Sequence, residues 1–170
     1  MAEVSTYEPI ATTSLASSSA TVTFSSIPST YTDLFIYYQF GATSSANNIG
    51  IRFNGDTGSN YSTTAFFSYN TSRSAGSYYL THGYVGNIAL GGPITLEGNG
   101  YVDINDYANT TTYKTCQSRY AYSIGATTSE TNAIVNMWRS TSAISSITLF
   151  SYNASYLIGS TFSLYGIKAN

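Results

Sequence analysis

The sequence predicts an all-β fold, an antiparallel β-sandwich of jelly-roll type. Three observations predict it. Apolar and polar residues alternate with period two, as in Asp33–Phe40, where Leu34, Ile36, Tyr38 and Phe40 fall on one face. Val, Ile, Thr, Tyr and Phe fill these runs, and such side chains suit a pleated surface. Turn-forming clusters interrupt the runs at short intervals, so the chain reads as many short strands, which two packed sheets accommodate.

In order, strands are expected near 7–13, 20–25, 33–41, 48–54, 61–69, 77–82, 84–90, 93–97, 100–105, 112–123, 132–140, 144–151 and 160–168. Val22 and Phe24 alternate with Thr21 and Thr23. Ile49, Ile51 and Phe53 alternate with Gly50, Arg52 and Asn54, and Phe162 and Leu164 with Ser163 and Tyr165. Breaks fall at Ile27-Pro28-Ser29, Gly41-Ala42, Asn54-Gly55-Asp56, Gly91-Gly92-Pro93, Glu97-Gly98-Asn99-Gly100 and Gly125-Ala126. Ala133–Arg139 fits two helical turns as well as a strand. Ala11–Ala20 has the lowest complexity and reads as a polar loop or a short connection between strands. With no linker, charge run or clean repeat, residues 1–170 read as one sandwich domain, with 1–7 an N-terminal arm.

Composition removes several functions. Charged residues are 8% of the 170, against about 25% in an average soluble protein. Six basic residues against eight acidic ones cannot lay down the dense cationic footprint of a nucleic-acid binder. Apolar runs are a few residues long, far short of the ~20 that cross a bilayer, so no membrane partner is expected. MAEVSTYEPI lacks the basic and apolar stretches of a secretory signal. Cys116 is the single cysteine, which excludes an internal disulfide. The chain carries instead 27 Ser, 24 Thr and 17 Tyr. So few charges fit a protein held inside an assembly or outside a cell.

Catalytic and cofactor chemistry finds little to use. His82 is the only histidine, so neither a zinc site nor a Ser-His-Asp triad has its usual ligands, and a loop position is expected. Cys116 reads as a small buried side chain. Asp103 and Asp106 are near in sequence, but Asp106 falls in a turn. An enzyme such as a polysaccharide depolymerase would need Asp33, Asp56, Glu97, Asp103, Asp106 and Glu130 to converge in a groove. In the turn Asn54–Asn60, the oxygens of Asn54, Asp56 and Asn60 suit calcium, although the spacing of a calcium loop is missing. The stronger reading is that the same residues close a hairpin between 48–54 and 61–69, because Asn and Gly accept positive φ. The sequons at Asn60, Asn70, Asn109 and Asn153 are expected by chance in so Asn-, Ser- and Thr-rich a chain. No catalytic residue and no cofactor are expected.

Tyrosine is the residue in surplus. Tyr37/Tyr38, Tyr78/Tyr79, Tyr84, Tyr120/Tyr122 and Tyr152/Tyr156 cannot all lie in a core. Tyr37, Tyr78, Tyr84, Tyr122 and Tyr152 are the interface candidates, since exposed Tyr offers large contact area at low entropy cost. Exposed Tyr also stacks on sugar rings. The alternative is that Tyr fills strand positions with its hydroxyl in water.

Several segments in order carry a resemblance. They are Tyr7-Glu8-Pro9-Ile10-Ala11-Thr12, Val22-Thr23-Phe24-Ser25-Ser26-Ile27-Pro28 with Tyr31-Thr32-Asp33-Leu34, and Arg52-Phe53-Asn54-Gly55-Asp56-Thr57-Gly58-Ser59-Asn60-Tyr61-Ser62. Ile104-Asn105-Asp106-Tyr107-Ala108-Asn109-Thr110, Trp138-Arg139-Ser140-Thr141 and Gly159-Ser160-Thr161-Phe162-Ser163-Leu164-Tyr165-Gly166-Ile167 complete the set. Across almost its whole length the chain resembles small β-sandwich virion proteins of tailed bacteriophages, notably phages of aquatic bacteria. The resemblance implies a structural protein on the outer surface of the particle, made in the host cytoplasm. It implies a capsid decoration, head fibre or piece of tail fibre, frequently a homotrimer, with other virion proteins such as the major capsid protein as partners. It carries no active site. Without a fibre shaft or coiled coil, a compact decoration (cement or knob) protein is the leading expectation. A tail-fibre or receptor module binding host surface glycan is the alternative.

Overall fold

The computed structural model describes residues 6–43, 48–86, 98–124 and 128–168, all of them in strands, turns or irregular segments. Twelve strands follow one another. They are β1 (Tyr7–Ser14), β2 (Thr21–Phe24), β3 (Asp33–Phe40), β4 (Ile49–Phe53), β5 (Tyr61–Tyr69), β6 (Ser72–Leu80), β7 (Gly83–Gly86), β8 (Gly98–Asn105), β9 (Lys114–Ile124), β10 (Thr128–Trp138), β11 (Ile147–Ser151) and β12 (Thr161–Ile167). The expected strand at 93–97, residues 87–90 of the one expected over 84–90, and residues 1–5 of the expected arm lie outside the described residues. Tyr7, assigned to that arm, is the first residue of β1 and packs edge-on against Phe35 at 5.6 Å.

Eight strands form one antiparallel sheet in the order β1-β12-β3-β8-β9-β10-β5-β6, and four form a second in the order β2-β11-β4-β7. The chain changes sheet at each step from β2 to β5, turns a hairpin into β6, and crosses again to β7. It later crosses from β10 to β11 and back to β12. This alternation is the jelly-roll path. Two additions enlarge the first sheet: β8-β9-β10 forms a meander where one strand would suffice, and β1 with β12 extends it beyond β3.

Period-two alternation sends one face of the central strands inward. Ile36, Tyr38 and Phe40 of β3, Val102 and Ile104 of β8, and Phe162 and Leu164 of β12 meet Val22, Phe24, Ile51, Phe53, Ile147 and Leu149 of the smaller sheet. Polar groups then tie the layers together. The Tyr38 hydroxyl donates to the Val85 carbonyl at 2.6 Å, and the Phe53 N–H donates to the Tyr61 hydroxyl at 3.0 Å. Asn136, fully buried on β10, does most. Its Oδ1 accepts from Thr63 Oγ1 (2.7 Å) and from the Tyr84 N–H (2.9 Å), and its Nδ2 donates to the Tyr84 carbonyl (2.6 Å). The side-chain amide thus pairs with the backbone of β7, an edge strand, as a neighbouring strand would.

Two expectations change, and the strand reading of 132–140 holds. Ala11–Ala20 is not wholly a connection, because Ala11–Ser14 continue β1 against Leu164–Thr161 of β12. Ala133–Arg139 is strand through Trp138, with Ile134 and Asn136 inward and Val135 and Met137 outward. The Asn54–Asn60 turn closes no hairpin, since β4 and β5 belong to different sheets. Asn54 (φ 52°) and Gly55 (φ 68°) do adopt the positive φ that the residue types allow, but they turn a corner between the layers. The hairpin instead joins β5 to β6 through Asn70 and Thr71, with Asn70 at φ 49°.

The Asn136→Ala variant leaves three polar groups of Thr63 and Tyr84 without partners inside the sandwich. It is expected to lose about 3 kcal/mol of stability, measured by urea unfolding.

Candidate functional site

The five tyrosine candidates separate by position. Tyr78, Tyr84 and Tyr152 gather at one end of the smaller sheet. The cause begins at Gly50 of β4, opposite Phe150 of β11. A Cβ at Gly50 would lie 2.2 Å from the Phe150 ring, so only glycine lets that ring lie flat across the outer face. The Arg52 guanidinium covers the ring at 4.4 Å from its centroid. His82, only 6% exposed, packs edge-on against Phe150 (5.1 Å) and Tyr84 (5.3 Å) and stacks on Tyr152 (5.9 Å). Tyr78 meets Tyr84 edge-on at 5.6 Å. Tyr152, 50% exposed, is placed by its N–H bond to the Asn48 carbonyl (3.0 Å), and Asn48 Nδ2 donates to the Tyr84 hydroxyl (3.2 Å). The result is a continuous aromatic patch from two distant stretches of the chain, 78–84 and 150–152, with Tyr78 and Tyr152 at its open rim.

Tyr37 lies elsewhere, on the outer face of the eight-stranded sheet. Strand register sets a row across that face: Ser163, Tyr37, Tyr101, Arg119, Ala133, Phe66 and Ala75. Tyr37 is 46% exposed and Phe66 60%. Phe35 stacks on Tyr101 at 5.5 Å beside the row. Tyr122 is a correction. It is buried, and its hydroxyl donates to Glu130 Oε2 at 2.9 Å. Tyr120 and Tyr122 are two residues apart, so both point to the same, inward side of β9. No outward member exists in that pair.

The Asn54–Asn60 turn is filled by hydrogen bonds from the protein itself. Asp56 accepts the Gly58 N–H at Oδ1 (2.8 Å), and Asn60 Nδ2 (2.9 Å) and Trp138 Nε1 (2.6 Å) at Oδ2. Burial raises the Asp56 pKa, but these three donors together outweigh it and hold the carboxyl below its ordinary value. Asn54 Oδ1 accepts the N–H groups of Ser145 and Ser146. The oxygens that suggested calcium therefore fasten β4, β10 and the segment before β11 together. Among the described residues, no three His, Cys, Asp or Glu side chains converge as metal ligands.

The remaining candidates have structural surroundings. Cys116 is buried on β9, where burial pushes its thiol up to about 12. Asp103 faces outward on β8, while Asp106 lies in the following turn, its N–H bonded to Asp33 Oδ1 (2.7 Å) and its Oδ2 to Asn109 (2.8 Å). The two carboxylates do not face each other across a cleft. Asn60, Asn70 and Asn109 of the sequons each spend the side chain on turn or strand contacts.

Sequence reasoning missed Arg52 and Phe150 in the first surface, and Tyr101, Arg119 and Phe66 in the second. A glycine inside a strand pattern was the available signal for Phe150. For Arg119 the signal was parity, since inward Tyr120 and Tyr122 force Arg119 and Ala121 outward. No protein-family model matches the chain, and no curated protein and no solved structure is detectably similar to it.

His82 gives the patch a pH dependence. Burial, and then the Arg52 cation, hold its imidazole below the ordinary value. The unfolded chain therefore takes up the proton first, and stability falls as pH drops below about 6.5 towards the lower folded-state value. The proton NMR signal of this single histidine is expected to titrate below that of a free imidazole. His82→Phe is expected to remove the loss of unfolding midpoint between pH 7.5 and 5.

Proposed function

We propose that the chain is a non-enzymatic structural protein of a tailed-bacteriophage virion, a decoration or cement module on the outer capsid surface. One observation carries this reading: Tyr78 and Tyr84, from one stretch of the chain, and Tyr152, from a distant one, form a single aromatic patch with His82. Large rigid rings with polar tips, in a chain with 8% charged residues, suit a protein whose work is contact with other proteins. The jelly-roll supports the same role, because its loops and faces vary while the inter-sheet core stays fixed. The resemblance to small virion sandwiches is what supports an outer-capsid location and the major capsid protein as partner.

The patch serves self-association, with a homotrimer as the expected form. Molar mass by light scattering is then three times the 18.2 kDa of one chain. The paired variant Tyr78→Ser, Tyr152→Ser is expected to lower the mass to one chain while leaving the far-ultraviolet circular dichroism of the fold unchanged, since both rings sit at the rim. Its unfolding midpoint loses the concentration dependence that association gives the wild type. A wild-type mass of 18.2 kDa at micromolar concentration contradicts self-association. Gold-labelled antibody on particles of the phage that encodes the chain locates it. Label on the heads is the expected result; label confined to tail tips favours the receptor-binding alternative, and unlabelled particles overturn the reading.

A further inference from the structure

The outer face of the eight-stranded sheet has a different character from the tyrosine patch. Arg119 stands near its middle, exposed, and makes no hydrogen bond or ion pair among the described residues. Three depressions meet at it, and the smallest, of about 260 Å³, also holds Asp103, whose carboxylate interacts electrostatically with the guanidinium. One, of about 290 Å³, is lined by Tyr37, Asn99, Tyr101, Ala121 and Thr131. Another, of about 430 Å³, is lined by Phe66, Ser68, Arg73, Ser74 and Ala133. Ala121 and Ala133 flank Arg119 with short side chains.

We propose that this face binds an acidic saccharide, with the Arg119 guanidinium on a sugar carboxylate and the Tyr37 ring against the apolar C–H face of the sugar. Guanidinium and carboxylate match as planar, two-pronged partners. Asn99 and Thr131 supply an amide and a hydroxyl for the sugar hydroxyls, beside the ring that holds the sugar's flat side. The second depression repeats the arrangement with Phe66, Ser68 and Arg73, so two consecutive carboxylated units fit across Arg119. Arg73 bonds Thr71 O through one nitrogen (3.0 Å) and keeps further donors. Asp103 is the diagonal cross-strand neighbour of Arg119 and shares the third depression with it, so a sugar carboxylate meets the guanidinium from the side away from Asp103. A peptide adding as a strand is disfavoured, because backbone pairing inside a sheet leaves no free edge on its face. The inference does not depend on where on a particle the chain sits.

Calorimetric titration tests it with short oligomers of galacturonate and of alginate and with polysialic acid, against neutral dextran and dextran sulfate. Binding of at least one carboxylated saccharide is expected, with neutral dextran unbound and dextran sulfate weaker. Arg119→Ala is expected to weaken binding at least about tenfold, the loss of one charge-assisted pair, with an unchanged unfolding midpoint. Tyr37→Ala is expected to weaken it as well. Dextran sulfate bound as tightly as the carboxylated saccharides reduces the face to general attraction for polyanions and overturns the proposal. Undiminished binding by Arg119→Ala, or no binding of any carboxylated saccharide, also overturns it. If Arg119→Ala instead lowers the molar mass, the face belongs to a second copy of the chain.

Discussion

The buried amide of Asn136 is the constraint on which the rest depends. It stands on β10 of the larger sheet and satisfies both backbone groups of Tyr84 on β7 of the smaller. A jelly roll must bring an edge strand of its small sheet over a wide sheet whose inner face is apolar. The backbone of that edge strand has no further strand to pair with, and an amide is the side chain that offers both a donor and an acceptor. Gly83 belongs to the same arrangement, because a Cβ there would come within 2.8 Å of Asn136 Oδ1.

The two surfaces follow from this frame. Fixing β7 fixes Tyr84, and Tyr84 with Phe150 forms the walls against which His82 is buried. His82 in turn is the base on which Tyr152 stacks. The contact patch is thus layered outward from the core and is not a scatter of solvent-facing rings. The broad sheet is built differently. Its inner face is committed to the core, and cross-strand register alone lines up Tyr37, Tyr101, Arg119 and Phe66 on the outside. One surface is closed and aromatic, the other open with an exposed guanidinium, and they suit different partners.

Alternation made much of the fold legible, because a half-buried strand writes its inward face directly into the sequence. β3 and β5 show this, with Leu34, Ile36, Tyr38 and Phe40 inward in one and Tyr61 and Ala65 in the other. β6 was harder. Its first half, Ser72–Gly76, has no large apolar residue, since it lies beyond the cover of the smaller sheet and needs none. Parity with Ile134 and Trp138 puts Asn136 on the inward face, but its partner was not legible, because only the topology brings Tyr84 above it. The turn at Asn54–Asn60 showed its backbone geometry in its residue types, but not that its side chains reach Trp138 and Ser145, which are distant in the chain. Tyr78, Tyr84 and Tyr152 could be named individually, whereas their meeting point depends on Gly50 and Phe150 pairing across sheet strands.

The central claim is that the tyrosine patch, and not the broad sheet, joins copies of the chain. Hydroxyl-radical footprinting at low and high protein concentration reads this at the level of side chains. The account predicts that Tyr78, Tyr84 and Tyr152 lose reactivity as the protein assembles, while Tyr37 and Phe66 keep theirs. Protection of Tyr37 and Phe66 with an unprotected Tyr152 would contradict it.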